Sequence, residues 1–179
     1  MTRLTLASQS PRRARILASL GVAFDVVKTD APEVALPHDP EGTVLANARA
    51  KLLACGRVPA LAADTIVWFA GKIYGKPRDL AEAKAFLREL SGQTHAVFTG
   101  VAYAAAGGPV RTACVRSDVT FRALDDAAID AYVARVRPTD RAGAYDIDES
   151  GDLIVASYAG SYENIMGLPV EPLRGFGII

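Results

Sequence analysis

Two long strand-like segments stand next to each other in the middle of this chain, and they constrain its fold more than any other feature. Residues 95–105 and 110–121 are rich in apolar and β-branched residues, and Gly107-Gly108 lies between them. This pattern predicts an antiparallel hairpin. Before it, strand-like segments (4–7, 24–28 and 60–68) alternate with helical ones (11–20, 43–55 and a helix capped by Asp79). The combination predicts an α/β fold with a mixed sheet.

The last third of the chain gives one clear helix pattern, followed by a segment that is harder to interpret. Asp125 caps a further predicted helix, with Ile129, Tyr132 and Val133 on its inner face. The segment after it, residues 138–179, is rich in Gly, Asp and Tyr and gives no clear periodicity. The length of 179 residues permits one sizeable domain or two closely packed lobes.

Charge and cysteine content exclude several classes of protein. Lys+Arg and Asp+Glu number 20 each, which argues against a broad nucleic-acid or polybasic membrane surface but permits a local basic pocket. Only Cys55 and Cys114 occur, and no apolar run approaches the ~20 residues of a membrane helix. Met1 leads directly into strand-like sequence, so we expect no signal peptide. These features predict a cytoplasmic protein without nucleic-acid or membrane partners.

The first strand is followed by a short polar loop and a helix that opens with two arginines, within residues 4–13. Ser10 is placed to cap this helix, and Pro11 suits its first position. Free N–H groups at a helix start attract anions, and arginine adds donors that match phosphate oxygens. The segment is therefore either a polyphosphate site or an ordinary capped helix with solvated arginines.

Asp64 interrupts an otherwise apolar strand, Leu61-Ala-Ala-Asp-Thr-Ile-Val67. A buried carboxylate is costly unless it is paired, bound to a metal or placed at the edge of a cavity. Asp64 is therefore either a functional carboxylate or a strand-end aspartate that accepts bonds from neighbouring N–H groups. Three other candidates, Glu33, Lys51 and Lys76, are each typical of solvated surface residues when taken alone.

No familiar nucleotide-binding motif is present. The chain has neither GxxxxGK[ST] nor GxGxxG, and its two histidines, His38 and His95, show no metal-ligand or triad spacing. Six other blocks occur in a fixed order instead: residues 8–13, 63–67, 75–77, 90–95, 142–145, and 160–162 with 167–169. Together they resemble the Maf family of nucleoside triphosphate pyrophosphatases, and most closely its dTTP/UTP branch. The resemblance covers nearly the whole chain.

The resemblance implies a fold and an activity. Family members cleave a nucleoside triphosphate between its α and β phosphates, giving a nucleoside monophosphate and pyrophosphate. The implied fold is two-lobed, with an elongated mixed sheet, flanking helices and a central cleft, as in inosine triphosphate pyrophosphatases. It implies that residues 1–179 form one domain, and that the chain forms a homodimer.

The resemblance also assigns roles to individual residues. Asp64 is implied to activate water, and Glu33 with Asp64 to hold a divalent metal, Mg²⁺ or Mn²⁺. The residues implied to bind the triphosphate carry hydroxyl or cationic groups: Ser8, Ser10, Arg12, Arg13, Lys51 and Lys76. Of the two arginines, Arg13 is the better candidate for phosphate charge.

Base choice in the dTTP/UTP branch is tied to an arginine, a threonine and a later glutamine. Arg12 and Thr65 match the first two, but Asp148 stands at the glutamine position. A glutamine amide both donates and accepts hydrogen bonds, whereas a carboxylate only accepts. Asp148 would repel the O4 of uracil or thymine, so we expect a weakened or broadened dTTP/UTP preference.

Two alternatives remain open at this point. The first is a nucleotide-sensing regulator of septum formation or cell division with little catalysis, because some family members have been linked to septum arrest. The second is a pyrophosphatase of the inosine triphosphate type, against which the Ser-Pro-Arg-Arg block argues.

Overall fold

A seven-stranded mixed sheet forms the centre of the computed structural model, which describes residues 3–179. The strands are β1 (Leu4–Ala7), β2 (Phe24–Val27), β3 (Ala60–Phe69), β4 (Lys72–Tyr74), β5 (Thr94–Ala104), β6 (Val110–Phe121) and β7 (Val155–Ala159). Their order is β2-β1-β3-β5-β6-β7, with β4 paired to β3. β1 runs parallel to β2 and β3, and the other pairings are antiparallel. The predicted mixed α/β fold is confirmed.

Six α-helices accompany the sheet in the part of the chain that the structure describes. They are α1 (Pro11–Ser19), α2 (Pro40–Cys55), α3 (Leu80–Leu90), α4 (Asp126–Val136), α5 (Tyr162–Met166) and α6 (Val170–Phe176). Short 3₁₀ turns cover Ala142–Ala144 and Gly151–Leu153. Among the described residues, no helix is long and apolar enough to cross a bilayer. Met1, on which the prediction about a signal peptide depends, lies outside the described residues.

Most elements follow the sequence patterns, and one helix start differs from them. α2 begins at Pro40 rather than residue 43, because the Asp39 side chain accepts a bond from Gly42 N and proline suits the first helical position. α1 begins at Pro11 as predicted, but the expected cap bond from the Ser10 side chain is absent. Ser10 occupies the cap position without a side-chain cap bond, and its own N–H donates to Ser8 Oγ at 3.1 Å.

A gap along one edge of β3 opens the sheet. β5 pairs with β3 over residues 60–68 and occupies nearly the whole of one edge. On the other edge, β1 pairs with residues 60–62 and β4 with residues 67–69. Residues 63–66 therefore have no strand neighbour on that side, and Asp64 and Thr65 lie at the centre of the gap.

Two large clusters of buried apolar side chains stabilise the fold. One packs α3 and α4 onto the sheet and includes Phe86, Leu87 and Tyr132. The other packs α1 and α6 around β1 and includes Leu17 and Leu173. Each buried side chain of this size contributes about 1.5–3 kcal/mol. That residues 1–179 act as a single domain of two packed lobes stays a prediction.

Helix α2 approaches the sheet closely because β5 has a glycine where the two cross. Gly100 is the register partner of Asp64. A Cβ at Gly100 would overlap the Val44 carbonyl and lie 2.8 Å from Leu45 N. The close contact brings the buried face of α2, including Asn47, onto the part of β3 that carries Asp64.

Candidate active site

A cleft of about 840 Å³ opens at the gap in β3. Nine of the predicted site residues line it: Ser8, Ser10, Arg12, Arg13, Glu33, Lys51, Asp64, Thr65 and Lys76. They come from the end of β1, the start of α1, the loop before α2, α2 itself, β3 and the turn after β4. Segments that are distant in sequence therefore meet at one opening.

Asp64 lies on the α2 side of the sheet, in contact with two side chains of that helix. Lys51 Nζ donates to Asp64 Oδ1 at 2.7 Å, and Asn47 Nδ2 donates to Asp64 Oδ2 at 3.0 Å. Asn47 and Lys51 are four residues apart and so share one helix face. The Asp64 side chain is only 8% exposed, and these partners offset the cost of burying its charge.

Glu33 joins this group through the same lysine. Its Oε1 lies 2.8 Å from Lys51 Nζ, while its own side chain is more than half exposed. The loop that carries it is fixed by Asn47, which accepts a bond from Val34 N at 2.8 Å and donates to Val34 O at 3.0 Å. Asn47 thus holds both acidic residues in place. Our sequence interpretation gave it no role, although its position one turn before Lys51 was a usable signal.

The acidic pair fits a hard divalent cation. Glu33 and Asp64 converge on one positive charge, the Lys51 ammonium, and both present the carboxylate oxygens that Mg²⁺ and Mn²⁺ prefer. The described residues contain no group of three or more metal-ligating side chains. A site of this kind needs further oxygen ligands from substrate phosphates and water, as is usual for Mg²⁺.

Arg13 is partly buried and already makes several hydrogen bonds. Its Nε donates to Gly167 O at 2.7 Å, Nη1 to Ser8 Oγ at 3.1 Å and Nη2 to Thr65 Oγ1 at 3.1 Å. Burial lowers the pKa of Arg13 to about 10, an effect that the nearby Asp64 carboxylate opposes. The guanidinium stays charged at neutral pH, yet most of its donors hold the cleft wall together.

The hydroxyl of Ser8 is set up to donate into the cleft. Its oxygen accepts from Ser10 N and from Arg13 Nη1, both at 3.1 Å. Two donors already point at this buried oxygen, so its own proton remains for a ligand. A phosphate oxygen, which can only accept, is a matching partner.

Arg12 and Lys76 are the cleft cations with fewer partners. Arg12 Nη1 lies 3.9 Å from Asp146 Oδ2, and burial lowers the Arg12 pKa. Lys76 is exposed in the turn after β4, and its side chain makes no hydrogen bond or ion pair within residues 3–179. Both groups are available to neutralise phosphate charge.

Comparison with known proteins identifies the family. The family model described as "Maf-like protein" matches residues 3–176. The chain belongs to the Maf-like protein family. A protein named dTTP/UTP pyrophosphatase from Anaeromyxobacter dehalogenans (strain 2CP-C) is 46% identical over 94% of this chain and 89% of the relative. Proteins of the same name from Moorella thermoacetica and Escherichia coli (strain K12) are 43% and 44% identical, over 99% and 95% of this chain and 97% and 89% of each relative.

This Maf-like chain is also similar to a solved structure. It is named "Nucleoside-triphosphatase / dITP/XTP pyrophosphatase" and comes from Mycobacterium abscessus. The TM-score is 0.42 at 19% identity, covering 67% of this chain and 73% of the other. The family assignment depends on the sequence matches instead.

Asp148 lies away from the cleft of this Maf-like protein. It is exposed, accepts from Tyr162 Oη at 3.2 Å, and lies 3.6 Å from Arg15. The turn that places it there forms because Asp148 N donates to Asp146 Oδ1 at 2.9 Å. Asp148 is therefore not among the residues that line the cleft, and Asp146 takes that place.

Asp146 and Arg141 are cleft residues that the sequence interpretation missed. Arg141 binds Asp140 at 2.8 Å, Asp146 at 3.1 Å and Glu149 at 2.7 Å. The side chain of Asp146 is only 2% exposed and lies between Arg12 and Arg141. This ion-pair network fixes the loop after α4 against α1. The Ala142-Gly-Ala-Tyr145 block pointed to this loop, but not to its charged neighbours.

Proposed function

We propose that this chain hydrolyses nucleoside triphosphates, with UTP and dTTP as the expected substrates, to a nucleoside monophosphate and pyrophosphate. The relatives that carry the name dTTP/UTP pyrophosphatase support this substrate class. One observation carries the proposal: Glu33 and Asp64 converge on the Lys51 ammonium. The same cleft holds side-chain donors that are free to bind phosphate oxygens. Phosphoryl transfer requires acidic metal ligands placed beside cationic and hydrogen-bonding groups that bind the phosphates.

The triphosphate would lie between the cations at the start of α1 and those of α2 and the β4 turn. Ser8 donates its hydroxyl proton, and Arg12, Lys51 and Lys76 supply positive charge. Ser10 adds a hydroxyl at the same loop. These fixed donors replace the water that solvates the phosphates, and they lower the barrier by stabilising the charge that develops on the leaving pyrophosphate.

Glu33 and Asp64 would hold a divalent cation, Mg²⁺ or Mn²⁺, which supplies charge neutralisation across the phosphates when bound. Lys51 now lies at the point where these two carboxylates converge. We infer that its ammonium moves from the carboxylates to the phosphates as the cation and substrate enter. The lysine then contributes to substrate binding.

Asp64 would act as the proton acceptor. A water oxygen adds to the α-phosphorus, a proton of this water passes to an Asp64 carboxylate oxygen, and the bond from the α-phosphorus to the bridging oxygen breaks. The bridging oxygen leaves with pyrophosphate. Asn47 keeps the carboxylate oriented through its bond to Oδ2. Positioning supplies much of the acceleration in such reactions.

We propose that Arg12 and Thr65 take part in recognising the base. Asp148, at the position of the branch's glutamine, is paired with Arg15 and Tyr162 and offers the base no contact from that place. The expected dTTP/UTP preference is therefore still weaker or broader than with a glutamine. The direction is the one predicted from sequence, but the reason is a lost contact rather than repulsion at O4.

The assembly and location are proposals as well. We propose a homodimer in the cytoplasm, with residues 1–179 as one domain, on the basis of family resemblance. Light scattering coupled to size exclusion gives the mass of the particle, and a monomer at micromolar concentration would contradict the dimer.

A nucleotide panel tests the activity. Each triphosphate is supplied with Mg²⁺ or Mn²⁺, and pyrophosphate release is measured for the wild type and Asp64→Asn. We expect release with UTP and dTTP, and a loss of about a hundredfold or more in the variant. Tight nucleotide binding without hydrolysis in either metal would favour a sensing role instead. Wild-type rates in Asp64→Asn, with a melting temperature equal to wild type, would remove Asp64 from the mechanism.

A further inference from the structure

The hydroxyl of Thr65 belongs to a chain of hydrogen bonds that crosses from α1 to α5. Arg13 Nη2 lies 3.1 Å from Thr65 Oγ1, which lies 2.9 Å from Thr99 Oγ1. Thr99 Oγ1 in turn lies 3.1 Å from the backbone oxygen of Asn164. Thr65 and Thr99 are register partners on β3 and β5, so the sheet itself sets their separation.

The two ends of this chain determine the direction of every bond in it. A guanidinium only donates, and a backbone carbonyl only accepts. Thr99 has one hydroxyl proton, and it donates this proton in a hydrogen bond to the Asn164 carbonyl. The bond between the two threonines must then use the proton of Thr65. The opposite direction would bring two lone-pair oxygens, Thr99 and Asn164, to 3.1 Å from each other in a dry site.

Thr65 is left with one kind of capacity toward the cleft. Its hydroxyl donates a hydrogen bond to Thr99, and one lone pair of its oxygen accepts a hydrogen bond from Arg13. The remaining lone pair can accept a hydrogen bond from a ligand, but the hydroxyl can donate none. Thr65 lines the cleft, so this lone pair is available to a bound base.

The same arginine gives Ser8 the opposite polarity. Ser8 Oγ accepts from Arg13 Nη1 and from Ser10 N, so what it has left is its proton. One guanidinium therefore separates a donor hydroxyl from an acceptor hydroxyl on the cleft wall. The donor suits phosphate oxygens, whereas the acceptor suits an N–H group.

We propose that Thr99 is a positioning residue that fixes the polarity of Thr65, so that the cleft selects bases with a protonated ring nitrogen. Uracil, thymine, guanine and hypoxanthine carry such an N–H, whereas cytosine and adenine present a ring nitrogen that only accepts. This inference rests on the proposed function and on Thr65 facing the base. It names the substrate class as triphosphates of bases with a ring N–H, wider than UTP and dTTP.

The polarity is rigid because its anchors are buried. Thr99 and Asn164 are both fully inaccessible to solvent. The Asn164 side chain is fixed by bonds from its Nδ2 to Val97 O at 3.2 Å and Ser117 Oγ at 2.9 Å. Reversing the direction of these hydrogen bonds would leave a buried donor or acceptor without a partner, and no water reaches these buried groups to take its place.

Two variants of Thr99 test the proposal. Thr99→Val removes the hydroxyl with little change in shape and frees the Thr65 proton to turn into the cleft. Thr99→Ser keeps the hydroxyl and is the matched control. The kcat/KM for UTP divided by that for CTP should fall about tenfold or more in Thr99→Val. In Thr99→Ser it should stay within about twofold. An unchanged ratio in a folded Thr99→Val would overturn the proposal.

A chemical probe tests the same point without a mutation. N3-methyl-UTP lacks the ring N–H, and 5-methyl-UTP keeps it while adding a methyl group elsewhere. We expect kcat/KM to fall about tenfold or more for the first and to change little for the second. Equal use of UTP, CTP and N3-methyl-UTP by the wild type would contradict the inference while leaving the hydrolase activity established.

Binding separates this inference from the proposed function. The dissociation constants of α,β-methylene UTP and CTP, measured by calorimetry with Mg²⁺, report base choice even if no triphosphate is hydrolysed. Tighter binding of the UTP analogue, lost in Thr99→Val, supports the inference. Equal binding of the two analogues to the wild type overturns it. Absence of pyrophosphate release counts against the hydrolase activity alone.

Discussion

Lys51 Nζ lies 2.7 Å from Asp64 Oδ1 and 2.8 Å from Glu33 Oε1. A monovalent cation of the protein thus lies between the two carboxylates that are proposed to hold a divalent one. Without this lysine, two carboxylates would face each other across the cleft. The lysine offsets the repulsion between these carboxylates, and it would compete with a metal ion bound at the same place.

Lys51→Met should therefore tighten metal binding in the absence of nucleotide. Loss of a positive charge within 3 Å of both ligands favours another cation, and an increase in Mn²⁺ affinity of about tenfold or more is expected. Electron paramagnetic resonance of free Mn²⁺ measures it. Lys84→Met is the control, since Lys84 pairs with Asp130 on the outer helices. Equal Mn²⁺ affinity in wild type and Lys51→Met would contradict the competition.

Asn47→Ala should reduce both stability and turnover. The side chain bonds Val34 N, Val34 O and Asp64 Oδ2, and these groups would lose their partners. A loss of about 2–4 kcal/mol in the free energy of unfolding is expected, with a fall of about tenfold or more in kcat. Urea unfolding and steady-state kinetics give the two values.

The control for Asn47 is Thr43→Ala. Thr43 Oγ1 binds Leu36 N at 2.9 Å and Asp39 O at 2.9 Å, so it anchors the same loop without touching Asp64. Its loss should lower stability with a smaller effect on kcat. If both variants lowered kcat equally, the role of Asn47 in orienting Asp64 would be rejected.

Gly100→Ala should displace α2 from the sheet. The new Cβ would overlap the backbone of Val44, which cannot move as an exposed side chain can. Overpacking of this kind costs about 1–3 kcal/mol, and the shift would separate Lys51 and Asn47 from Asp64. The melting temperature and kcat/KM should both fall. Gly108→Ala serves as comparison, because its Cβ would meet atoms only at 3.5 Å or more. A Gly100→Ala protein with wild-type stability and activity would refute the close approach.

His95 should make stability depend on acid pH. It is buried against the rings of Phe121 and Tyr145, with Nε2 2.7 Å from Tyr145 Oη and Nδ1 without a partner within residues 3–179. Burial lowers the pKa of His95 to about 4, against a small opposing effect of Asp118. Between that value and the unfolded pKa of about 6.5, the unfolded chain binds more protons.

The stability contributed by neutral His95 is therefore present above about pH 6.5 and is lost as pH falls toward about 4, by about 3 kcal/mol in all. Unfolding free energies measured across this range should rise with pH more steeply in the wild type than in His95→Gln. His38→Gln, which alters an exposed histidine, should keep the wild-type slope. Parallel slopes in all three proteins would contradict the effect.

Local patterns were sufficient to predict much of the fold. The β5–β6 hairpin and the Asp79 and Asp125 caps each depend on residues that are close in sequence, and all three are present. The gap in β3 was not predictable in this way. It arises because β1 and β4, which are far apart in sequence, pair with different ends of the same strand edge.

The site shows the same division. The six sequence blocks contain seven of the nine predicted residues that line the cleft, and the family resemblance supplied the other two, Glu33 and Lys51. Asp148 was placed from its alignment with the family's glutamine, but its orientation depends on the Asp146 carboxylate, which binds its backbone N–H. The Thr65–Thr99 bond depends on strand register, and its direction depends on the carbonyl of Asn164, 65 residues further along the chain from Thr99. Side-chain networks of this length leave no trace in local sequence.

The identity of the products shows which phosphoanhydride bond the enzyme breaks. UTP with Mg²⁺ is incubated with the wild type, and ³¹P nuclear magnetic resonance identifies the phosphorus compounds formed. We expect UMP and pyrophosphate in equal amounts, and we expect Asp64→Asn to form both far more slowly. UDP and orthophosphate as the products would contradict it.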